Sequence, residues 1–320
     1  MGPRTAMNIL VTDGLDADAL STLRRVHEVH AEEADPARLL ELITGADALI
    51  VRGRTKVTKE VLARAAKLKV IGRSGVGTDN IDLEAATSRK VLVVNAPTSS
   101  TTSVAELAIG HMISLYRHLP VSDRGVREGR WEKSGLEGRE LGGKVLGLLG
   151  SGRIGAEVAR RAFAFGMSAL AYDPYLKPED AVRIGIRLVE KERLFQEADV
   201  LSIHAALTPE TRSLVGRKEL SLMKRTAVLI NCARGEIVDE DALAEALKAG
   251  TISGAAVDVF AKEPPKHSPL LSAPNVVFTP HLGASTREAQ ARAGAIIAEQ
   301  VLTALAGRKP EFLVNREALH

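Results

Sequence analysis

The sequence is poor in cysteine, in aromatic residues and in long apolar runs. Its only cysteine is Cys232, so no disulfide can form within the chain and no cluster of cysteines can bind a metal. Aromatic residues make up 3% of the chain, and no apolar run approaches the roughly 20 residues that cross a bilayer. These features predict a protein of a reducing compartment, the cytoplasm, without a signal peptide or a membrane anchor.

Neither sign of charge dominates the sequence. Lys and Arg number 43 against 40 Asp and Glu, which leaves a net charge of +3. No basic run is interleaved with aromatic residues, so we expect no nucleic-acid partner and no membrane partner. No pair of histidines has a carboxylate at a convincing ligand spacing, and we therefore predict no metal.

The chain instead contains short β-branched runs that alternate with amphipathic stretches rich in Ala and Leu, which is typical of parallel α/β sheets. Its 320 residues are too many for one core of ordinary size, so we expect two domains. The early strand candidates are Ile9–Thr12, Ala48–Val51, Val70–Gly72 and Val91–Val94. The later ones are Val145–Leu149, Ala169–Tyr172, Val200–Ile203, Val228–Asn231, Gly254–Val257 and Val276–Phe278. The prediction is two Rossmann-like, doubly wound parallel-sheet domains.

The domain boundaries follow from the segments between these strands. A long helix is predicted over Ser103–Leu119, stopped by Pro120, and a strandless arm follows over Val121–Leu141. A last helix, Thr286–Ala306, lies beyond the sixth strand of the second series and is expected to cross back to the first domain. We therefore predict a discontinuous first domain, residues 1–97 with 285–320, and a second domain over residues 98–284.

A glycine-rich loop predicts where a dinucleotide binds. Gly150-Ser-Gly152-Arg153-Ile154-Gly155 follows the strand Val145–Leu149 and opens a helix expected over Ala156–Phe165. The glycines allow a tight turn, close approach to a pyrophosphate and helix packing, and the phosphates would lie on free N–H groups of the helix. Asp173 ends the next strand, where a carboxylate accepts the ribose hydroxyls and repels a 2′-phosphate. The predicted cofactor is NAD.

Polar residues follow three later strands, where a doubly wound sheet places its ligands. They are Arg234, then Asp258 with Glu263, and then His281. An arginine can hold a carboxylate in a bidentate fashion, and a histidine can move the proton of a substrate hydroxyl. A glutamate paired with that histidine favours the imidazolium. Spacing alone does not show that these side chains converge.

Three segments resemble the signatures of the D-isomer-specific 2-hydroxyacid dehydrogenase family. They are Asn231-Cys-Ala-Arg-Gly-Glu-Ile-Val-Asp239, Gly254-Ala-Ala-Val-Asp-Val-Phe260 with Glu263-Pro-Pro, and Pro280-His-Leu-Gly-Ala-Ser-Thr286. The resemblance extends from about Asn8 to the final helix, and within the family it is greatest to the branch that oxidises D-3-phosphoglycerate in serine biosynthesis. It implies a fold of the formate/glycerate dehydrogenase type, with a substrate domain and an NAD-binding domain.

The resemblance also implies roles for individual residues. Arg234 would bind the substrate, His281 would be the acid/base, and Glu263 would be the partner of His281. The nicotinamide side would be lined by Cys232, Ala233, Asp258 and Gly283, with Cys232 as a lining residue and not a nucleophile. The segment 103–141, with Trp131, would form the interface of a homodimer or of a dimer of dimers.

The substrate is expected to be a small 2-hydroxy or 2-oxo acid that carries a phosphate. Arg52 and Arg73 end two strands of the first domain and could clamp that phosphate. The resemblance also implies substrate contacts from Ser74, Gly75 and Asn95. Ser100 and Val76 depart from the usual pattern of the branch. Two alternatives stay open: a glyoxylate/hydroxypyruvate reductase or D-lactate-type enzyme of the same family, and a non-catalytic NAD(H)-sensing protein of the corepressor type.

Overall fold

The computed structural model describes residues 6–319, and the chain divides into two compact units. One unit holds the described residues up to Ser100 together with those from Ala284 onward, and the other holds Thr101–Gly283. Both units are parallel α/β structures, which confirms the predicted fold class, including a first unit built from two separate parts of the chain. Within residues 6–319, none of the helices combines the length and the apolar character needed to span a bilayer.

The first unit is built on a five-stranded parallel sheet with the order β2-β1-β3-β4-β5. Its strands are β1 (Asn8–Val11), β2 (Glu28–Ala31), β3 (Ala48–Val51), β4 (Val70–Arg73) and β5 (Leu92–Asn95). Its first four helices are α1 (Ala17–Arg24), α2 (Pro36–Leu42), α3 (Lys59–Arg64) and α4 (Leu83–Ser88). The strand order reverses between β1 and β3, so the crevice at the carboxyl ends of these two strands is the switch point where such sheets bind ligands.

The second unit contains a seven-stranded parallel sheet with the order β12-β11-β10-β9-β6-β7-β8. Its strands are β6 (Val145–Leu149), β7 (Ser168–Tyr172), β8 (Arg187–Leu188), β9 (Val200–Ile203), β10 (Val228–Asn231), β11 (Gly254–Val257) and β12 (Val276–Phe278). Its helices are α5 (Thr101–Tyr116), α6 (Leu119–Arg127), α7 (Arg153–Ala164), α8 (Pro178–Arg183), α9 (Lys191–Glu197), α10 (Arg217–Leu222) and α11 (Glu240–Lys248). The switch point of this sheet lies between β6 and β9.

The last helix, α12 (Arg287–Leu305), belongs to the first unit and packs on its sheet. Its buried residues Ile297 and Val301 lie in one apolar cluster with Ile50 of β3 and Val70 of β4. A second cluster, on the other face of the sheet, contains Leu49 of β3. Because both faces of the central strands are buried, their sequences are continuously apolar and do not alternate.

The structure corrects the prediction for the region around Pro120. A helix was expected over Ser103–Leu119, ended by this proline, followed by an arm without regular structure. Instead α5 ends at Tyr116, His118 adopts a left-handed conformation with φ 52°, and Pro120 lies in the first turn of α6. Proline is favoured in a first helical turn, where the N–H that it lacks would have no partner. The proline therefore begins a helix, and the first part of the predicted arm is helical.

Candidate active site

The glycine-rich loop lies at the switch point of the second sheet, between the ends of β6 and β9. A Cβ on Gly150 would approach the backbone nitrogen of Ala205 to 2.7 Å, and one on Gly155 would approach the oxygen of Gly150 to 2.6 Å. Only glycine fits at these two positions. Gly152 is different, because a Cβ there would meet nothing within 4 Å. The loop thus packs tightly on the protein side and leaves open space at its middle glycine.

The helix that follows this loop presents unpaired backbone donors to that space. Helix α7 begins with Arg153 and Ile154, earlier than the hydrophobic pattern indicates, and Gly152 is its N-cap without a capping side chain. The first N–H groups of a helix have no partner within it and attract anions. The hydroxyl oxygen of Ser151 is buried and has no hydrogen-bond partner among the described residues. Open space, free donors and this hydroxyl fit a pyrophosphate.

Asp173 lies at the end of β7, beside the glycine-rich loop. Its Oδ2 accepts a hydrogen bond from the backbone nitrogen of Ser151 at 2.8 Å, and its Oδ1 accepts one from Tyr175 at 2.9 Å. The carboxylate is partly exposed. It is therefore held next to the loop with capacity to accept further hydrogen bonds, as a ribose diol requires.

His281 and Glu263, which the resemblance pairs as acid/base and partner, lie in direct contact. The imidazole Nδ1 of His281 lies 2.9 Å from Oε2 and 3.1 Å from Oε1 of Glu263. Oε1 of Glu263 also accepts a hydrogen bond from the backbone nitrogen of Phe260 at 3.2 Å, which orients the carboxylate. Because Nδ1 is engaged by this carboxylate, Nε2 is the ring nitrogen left to exchange a proton with a substrate.

The charges around this pair favour the imidazolium. The hydrogen bond that His281 donates to Glu263, with the negative charges of Glu263 and Asp258, raises the pKa of His281 above its usual value, against the opposing effects of burial and of the Arg234 charge. Burial raises the pKa of Glu263, but the hydrogen bond and charge of His281, the hydrogen bond from the backbone of Phe260 and the charge of Arg234 together outweigh burial and hold that pKa below its usual value. The electrostatic effect of Arg234 reaches both residues. The structure thus brings the three predicted catalytic residues together within the second unit.

Arg234 reaches this position because its loop packs closely on the end of β11. A Cβ on Gly235 would lie 1.9 Å from the carbonyl carbon of Phe260, so only glycine allows this approach. The side chain of Asn231 holds the loop with two hydrogen bonds. Its Nδ2 donates to the backbone oxygen of Arg234 at 3.0 Å, and its Oδ1 accepts from the backbone nitrogen of Ala233 at 3.1 Å. Cys232, which directly follows Asn231, is buried, and this burial raises the pKa of its thiol. A neutral thiol is a poor nucleophile.

Asp258 organises the loop that carries His281. Its side chain is buried, with 1% of the residue exposed. It accepts hydrogen bonds from the hydroxyl of Thr279 at 2.5 Å and from the backbone nitrogens of Leu282 at 2.7 Å and Gly283 at 2.9 Å. His281 has φ 54°, a conformation that non-glycine residues adopt only where surrounding contacts enforce it. The Asp258 carboxylate supplies those contacts.

His111 extends this network, which the sequence did not suggest. Only 3% of His111 is exposed, and its Nε2 lies 3.2 Å from the hydroxyl oxygen of Thr279. Since that hydroxyl gives its single proton to Asp258, Nε2 of His111 must be the donor. Burial lowers the pKa of His111, so the chain of hydrogen bonds runs from a neutral imidazole to a carboxylate.

The predicted substrate residues of the first unit lie at the carboxyl ends of its strands. Arg52 follows β3, Arg73 ends β4 and Asn95 ends β5. Asn95 donates from Nδ2 to the oxygen of Val76 at 2.6 Å, and the nitrogen of Ala96 donates to the oxygen of Gly75 at 2.8 Å. These bonds fix the turn that contains Ser74 and Gly75.

The side chain of Arg73 lies over its own turn. Its Nη1 lies 3.4 Å from the backbone oxygen of Ser74. A Cβ on Gly75 would come within 1.7 Å of this Nη1. Gly75 has φ 145°, so this position needs glycine for its backbone conformation. The guanidinium is thereby held close to the end of β4.

Comparisons with known proteins agree with this architecture. Residues 109–283 match the family model described as "D-isomer specific 2-hydroxyacid dehydrogenase, NAD binding domain". A D-3-phosphoglycerate dehydrogenase of Methanocaldococcus jannaschii is 50% identical over 311 residues, which are 97% of this chain and 59% of that protein. The crystal structure of the TT0316 protein from Thermus thermophilus superposes with a TM-score of 0.89 at 40% identity, over 96% of this chain and 100% of that one.

The chain belongs to the D-isomer specific 2-hydroxyacid dehydrogenase family.

Proteins with other named activities have a similar fold. A glyoxylate reductase from Paecilomyes thermophila superposes with a TM-score of 0.88 at 29% identity, over 97% of this chain and 98% of that one. The fold therefore does not distinguish substrates within the family. The chain spans less than two thirds of the length of the phosphoglycerate dehydrogenases that it matches.

The residues that match the NAD-binding domain, 109–283, contain both the glycine-rich loop and the Glu263–His281 pair. The fit of the loop to a pyrophosphate is a property of the chain's own residues. His204, at the end of β9, adds a further feature. Its Nε2 lies 2.8 Å from the Ser202 hydroxyl, its buried Nδ1 has no partner among residues 6–319, and burial lowers its pKa to about 4. A histidine in this state is neutral.

Proposed function

We propose that this family member catalyses the NAD-dependent oxidation of D-3-phosphoglycerate to 3-phosphohydroxypyruvate, the entry step of serine biosynthesis, and the reverse reduction. The observation that supports the chemistry best is the Glu263–His281 pair, with Nδ1 2.9 Å from the carboxylate, in the same domain as a loop that fits a pyrophosphate. The 50% identity to a phosphoglycerate dehydrogenase over 97% of the chain supports the substrate.

The roles of the residues follow from their chemistry. NAD held by the glycine-rich loop and Asp173 would supply the acceptor for the hydride of carbon 2 of the hydroxy acid, and NADH would supply that hydride in the reverse direction. In the oxidation, Nε2 of His281 takes the hydroxyl proton, and the carboxylate of Glu263 stabilises the imidazolium that forms. In the reduction, the same imidazolium gives its proton to the oxygen that becomes the hydroxyl. Arg234 binds the carboxylate of the substrate and polarises the carbonyl beside it.

The remaining predicted cofactor contacts complete the proposal. Gly150, Gly152, Arg153, Ile154 and Gly155 hold the pyrophosphate at the start of α7. Asp173 accepts the ribose hydroxyls, which favours NAD over NADP. Cys232, Ala233, Asp258 and Gly283 would line the nicotinamide side of the bound cofactor. No metal takes part in this mechanism.

The phosphate of the substrate is assigned to Arg52 and Arg73. Arg52 follows β3 and Arg73 ends β4. Arg52 lies at the switch point between β1 and β3, where sheets of this order bind ligands. The residue segments 1–97 and 285–320 would thus form the substrate domain, with further contacts from Ser74, Gly75 and Asn95, and residues 98–284 the NAD-binding domain.

We also propose that the protein is a homodimer, or a dimer of dimers, of the cytoplasm. The segment 103–141 is the proposed interface. Four large apolar side chains of this segment are exposed, namely Leu119, Val121, Val126 and Trp131, and Trp131 is 81% exposed. Together they line a cavity of about 730 Å³. An apolar surface of this kind is typical of an interface between subunits.

The substrate assignment is tested with Arg52→Ala. We expect this variant to lose kcat/KM for 3-phosphohydroxypyruvate by about 10- to 100-fold, because a hydrogen bond to a charged group contributes about 1.5–3 kcal/mol. Turnover of hydroxypyruvate, which lacks the phosphate, should change little. Arg24→Ala, which removes an exposed arginine of α1, is the matched control and should leave both substrates unaffected. Equal losses for both substrates in Arg52→Ala would contradict the phosphate assignment and favour a hydroxypyruvate or glyoxylate reductase.

A further inference from the structure

Arg52 begins a short loop, residues 52–55, that crosses the switch point of the first sheet next to the end of β1. Two buried polar side chains face this loop. Asp13 comes two residues after β1, and Asn80 comes from the segment between β4 and α4. The side chain of Asp13 is 4% exposed, and Asn80 is 8% exposed. Buried polar groups are costly unless each has hydrogen-bond partners, so their partners indicate what these residues do.

The carboxylate of Asp13 binds the amide groups at both ends of the loop. Oδ2 accepts from the backbone nitrogens of Arg52 at 2.8 Å and Thr55 at 3.0 Å. Oδ1 accepts from the hydroxyl of Thr55 at 2.7 Å, and the guanidinium of Arg54 lies 3.5 Å from it. Burial raises the pKa of Asp13, but the bonds from Thr55, Arg52 and Arg54 outweigh burial and hold that pKa below its usual value. The group is therefore a carboxylate at neutral pH.

The amide of Asn80 holds the opposite side of the same residues. Its two Nδ2 protons go to two carbonyl oxygens, that of Arg52 at 2.8 Å and that of Thr55 at 2.7 Å. The backbone N–H of Arg52 thus donates a hydrogen bond to Asp13, and its backbone C=O accepts one from Asn80. Since both peptide groups that flank its Cα are held by buried side chains, the direction in which the Arg52 side chain leaves the backbone is set by these two residues.

We infer that Asp13 and Asn80 are positioning residues for Arg52, and that through Arg52 they determine the affinity of this protein for the phosphorylated end of its substrate. This inference rests on the proposed function, since Arg52 is the residue assigned to the phosphate. A guanidinium binds a phosphate in a bidentate fashion only in a narrow range of orientations. A loop free to reorient would keep the charge and lose that geometry.

The test uses near-isosteric changes of the two positioning residues. Asp13→Asn removes the charge and one acceptor group, and Asn80→Asp replaces the two N–H donors with a carboxylate that repels the carbonyl oxygens. We expect each variant to raise KM for 3-phosphohydroxypyruvate by about 10-fold, because a displaced group loses bidentate geometry but keeps its charge. kcat, the Kd of NADH and kcat/KM for hydroxypyruvate should stay near the wild-type values.

A matched control separates positioning from a general loss of stability. Asp47 is a carboxylate of the same unit that accepts a backbone hydrogen bond, from Asn8 at 3.0 Å, and pairs with Lys69 at 3.0 Å. It lies just before β3, at the opposite end of the strand from Arg52. Asp47→Asn should lower the Tm in the manner of Asp13→Asn and leave KM for the phosphorylated substrate unchanged. If the two Asp→Asn variants raise KM equally, the effect of Asp13 is structural and the inference is wrong.

A double-mutant cycle shows whether Asp13 acts through Arg52. If it does, Asp13→Asn should have no further effect on KM once Arg52→Ala is present. Additive effects, or a wild-type KM in Asp13→Asn, would overturn the inference while a selective effect of Arg52→Ala leaves the proposed function intact. If Arg52→Ala itself shows no selectivity for the phosphorylated substrate, the proposed function is contradicted first. Should Asp13→Asn fail to fold, the same cycle is run with Asn80→Asp.

Discussion

The pairing of Glu263 with His281 gives a prediction with a definite sign. In Glu263→Gln the amide oxygen can still accept from Nδ1 of His281, so the ring stays oriented, but the negative charge is gone. In the wild type this charge raises the pKa of His281. The variant should therefore have a lower pKa at His281 and should lose the imidazolium at a lower pH than the wild type.

The two directions of the reaction should respond oppositely. Reduction of a 2-oxo acid needs the imidazolium, so kcat/KM for reduction should begin to fall at a lower pH in Glu263→Gln than in the wild type. Oxidation needs the neutral ring, so kcat/KM for oxidation should reach its plateau at a lower pH. Both limbs of the pH profiles, the fall in kcat/KM for reduction and the rise in kcat/KM for oxidation, shift to lower pH because both report the pKa of the same group in the free enzyme.

The loss of rate expected in Glu263→Gln is limited because the side chains of His281 and Glu263 are partly exposed to solvent. The side chains of His281 and Glu263 are 51% and 40% exposed, and exposed ion pairs contribute about 0.2–1 kcal/mol. Since about 1.36 kcal/mol is a factor of ten, we expect the plateau rate of Glu263→Gln to fall by less than about 10-fold. Removing the acid/base group itself, as in His281→Ala, should cost about 10²- to 10⁴-fold with NADH binding preserved.

The assay is the pH dependence of kcat/KM in both directions, with Glu240→Gln as the control. Glu240 accepts a hydrogen bond from the backbone nitrogen of Ala261 at 2.8 Å, in the segment that leads to Glu263, and forms no hydrogen bond or ion pair with His281. The control should leave both limbs in place. A limb that stays fixed in Glu263→Gln, or moves toward alkaline pH, would refute the assignment of this carboxylate.

Three further changes test the cofactor loop and the loop of His281. Gly152→Ala should leave Tm unchanged and raise the Kd of NADH by about 10-fold or more, since the new methyl group meets no protein atom but occupies the space that the pyrophosphate needs. Gly155→Ala should raise the Kd of NADH and also lower Tm, because its methyl group would clash with the oxygen of Gly150. Asp173→Asn should raise the NADPH/NADH ratio of kcat/KM, because the carboxylate that repels a 2′-phosphate is gone. Thr279→Val should lower kcat and destabilise the protein by about 1–3 kcal/mol in a denaturant titration, because Asp258 loses its hydroxyl donor, and Thr279→Ser should restore both.

The cofactor loop could be predicted from sequence because its determinants are local. A buried strand, three glycines at fixed spacing and a helix all lie within residues 145–164, and Asp173 follows at the end of the next strand. The central strands could be predicted for the same reason, since burial on both faces makes them continuously apolar. Two of the edge strands, β2 and β8, could not be predicted. β2 is mostly exposed and β8 has two residues, so neither leaves an apolar run.

The contacts that organise the site join residues far apart in the chain. His111 and Thr279 are separated by 168 positions, and Asn80 and Arg52 by 28, so no pattern of spacing indicates either pair. The meeting of Arg234, Glu263 and His281 was implied by family resemblance and not by periodicity. A weak signal existed for Thr279, which is a polar residue directly after a strand, where ligands of such sheets gather.

The most direct test of the proposed function is the rate of NADH oxidation by the wild-type protein with 3-phosphohydroxypyruvate, hydroxypyruvate and glyoxylate in parallel, and with NADPH as the cofactor control. The proposal predicts a kcat/KM for the phosphorylated acid at least about 10-fold above the others, in keeping with one charge-assisted phosphate contact, and a preference for NADH. Equal use of the three acids would contradict the phosphate assignment, and tight NADH binding without turnover of any of them would contradict the catalytic role of His281.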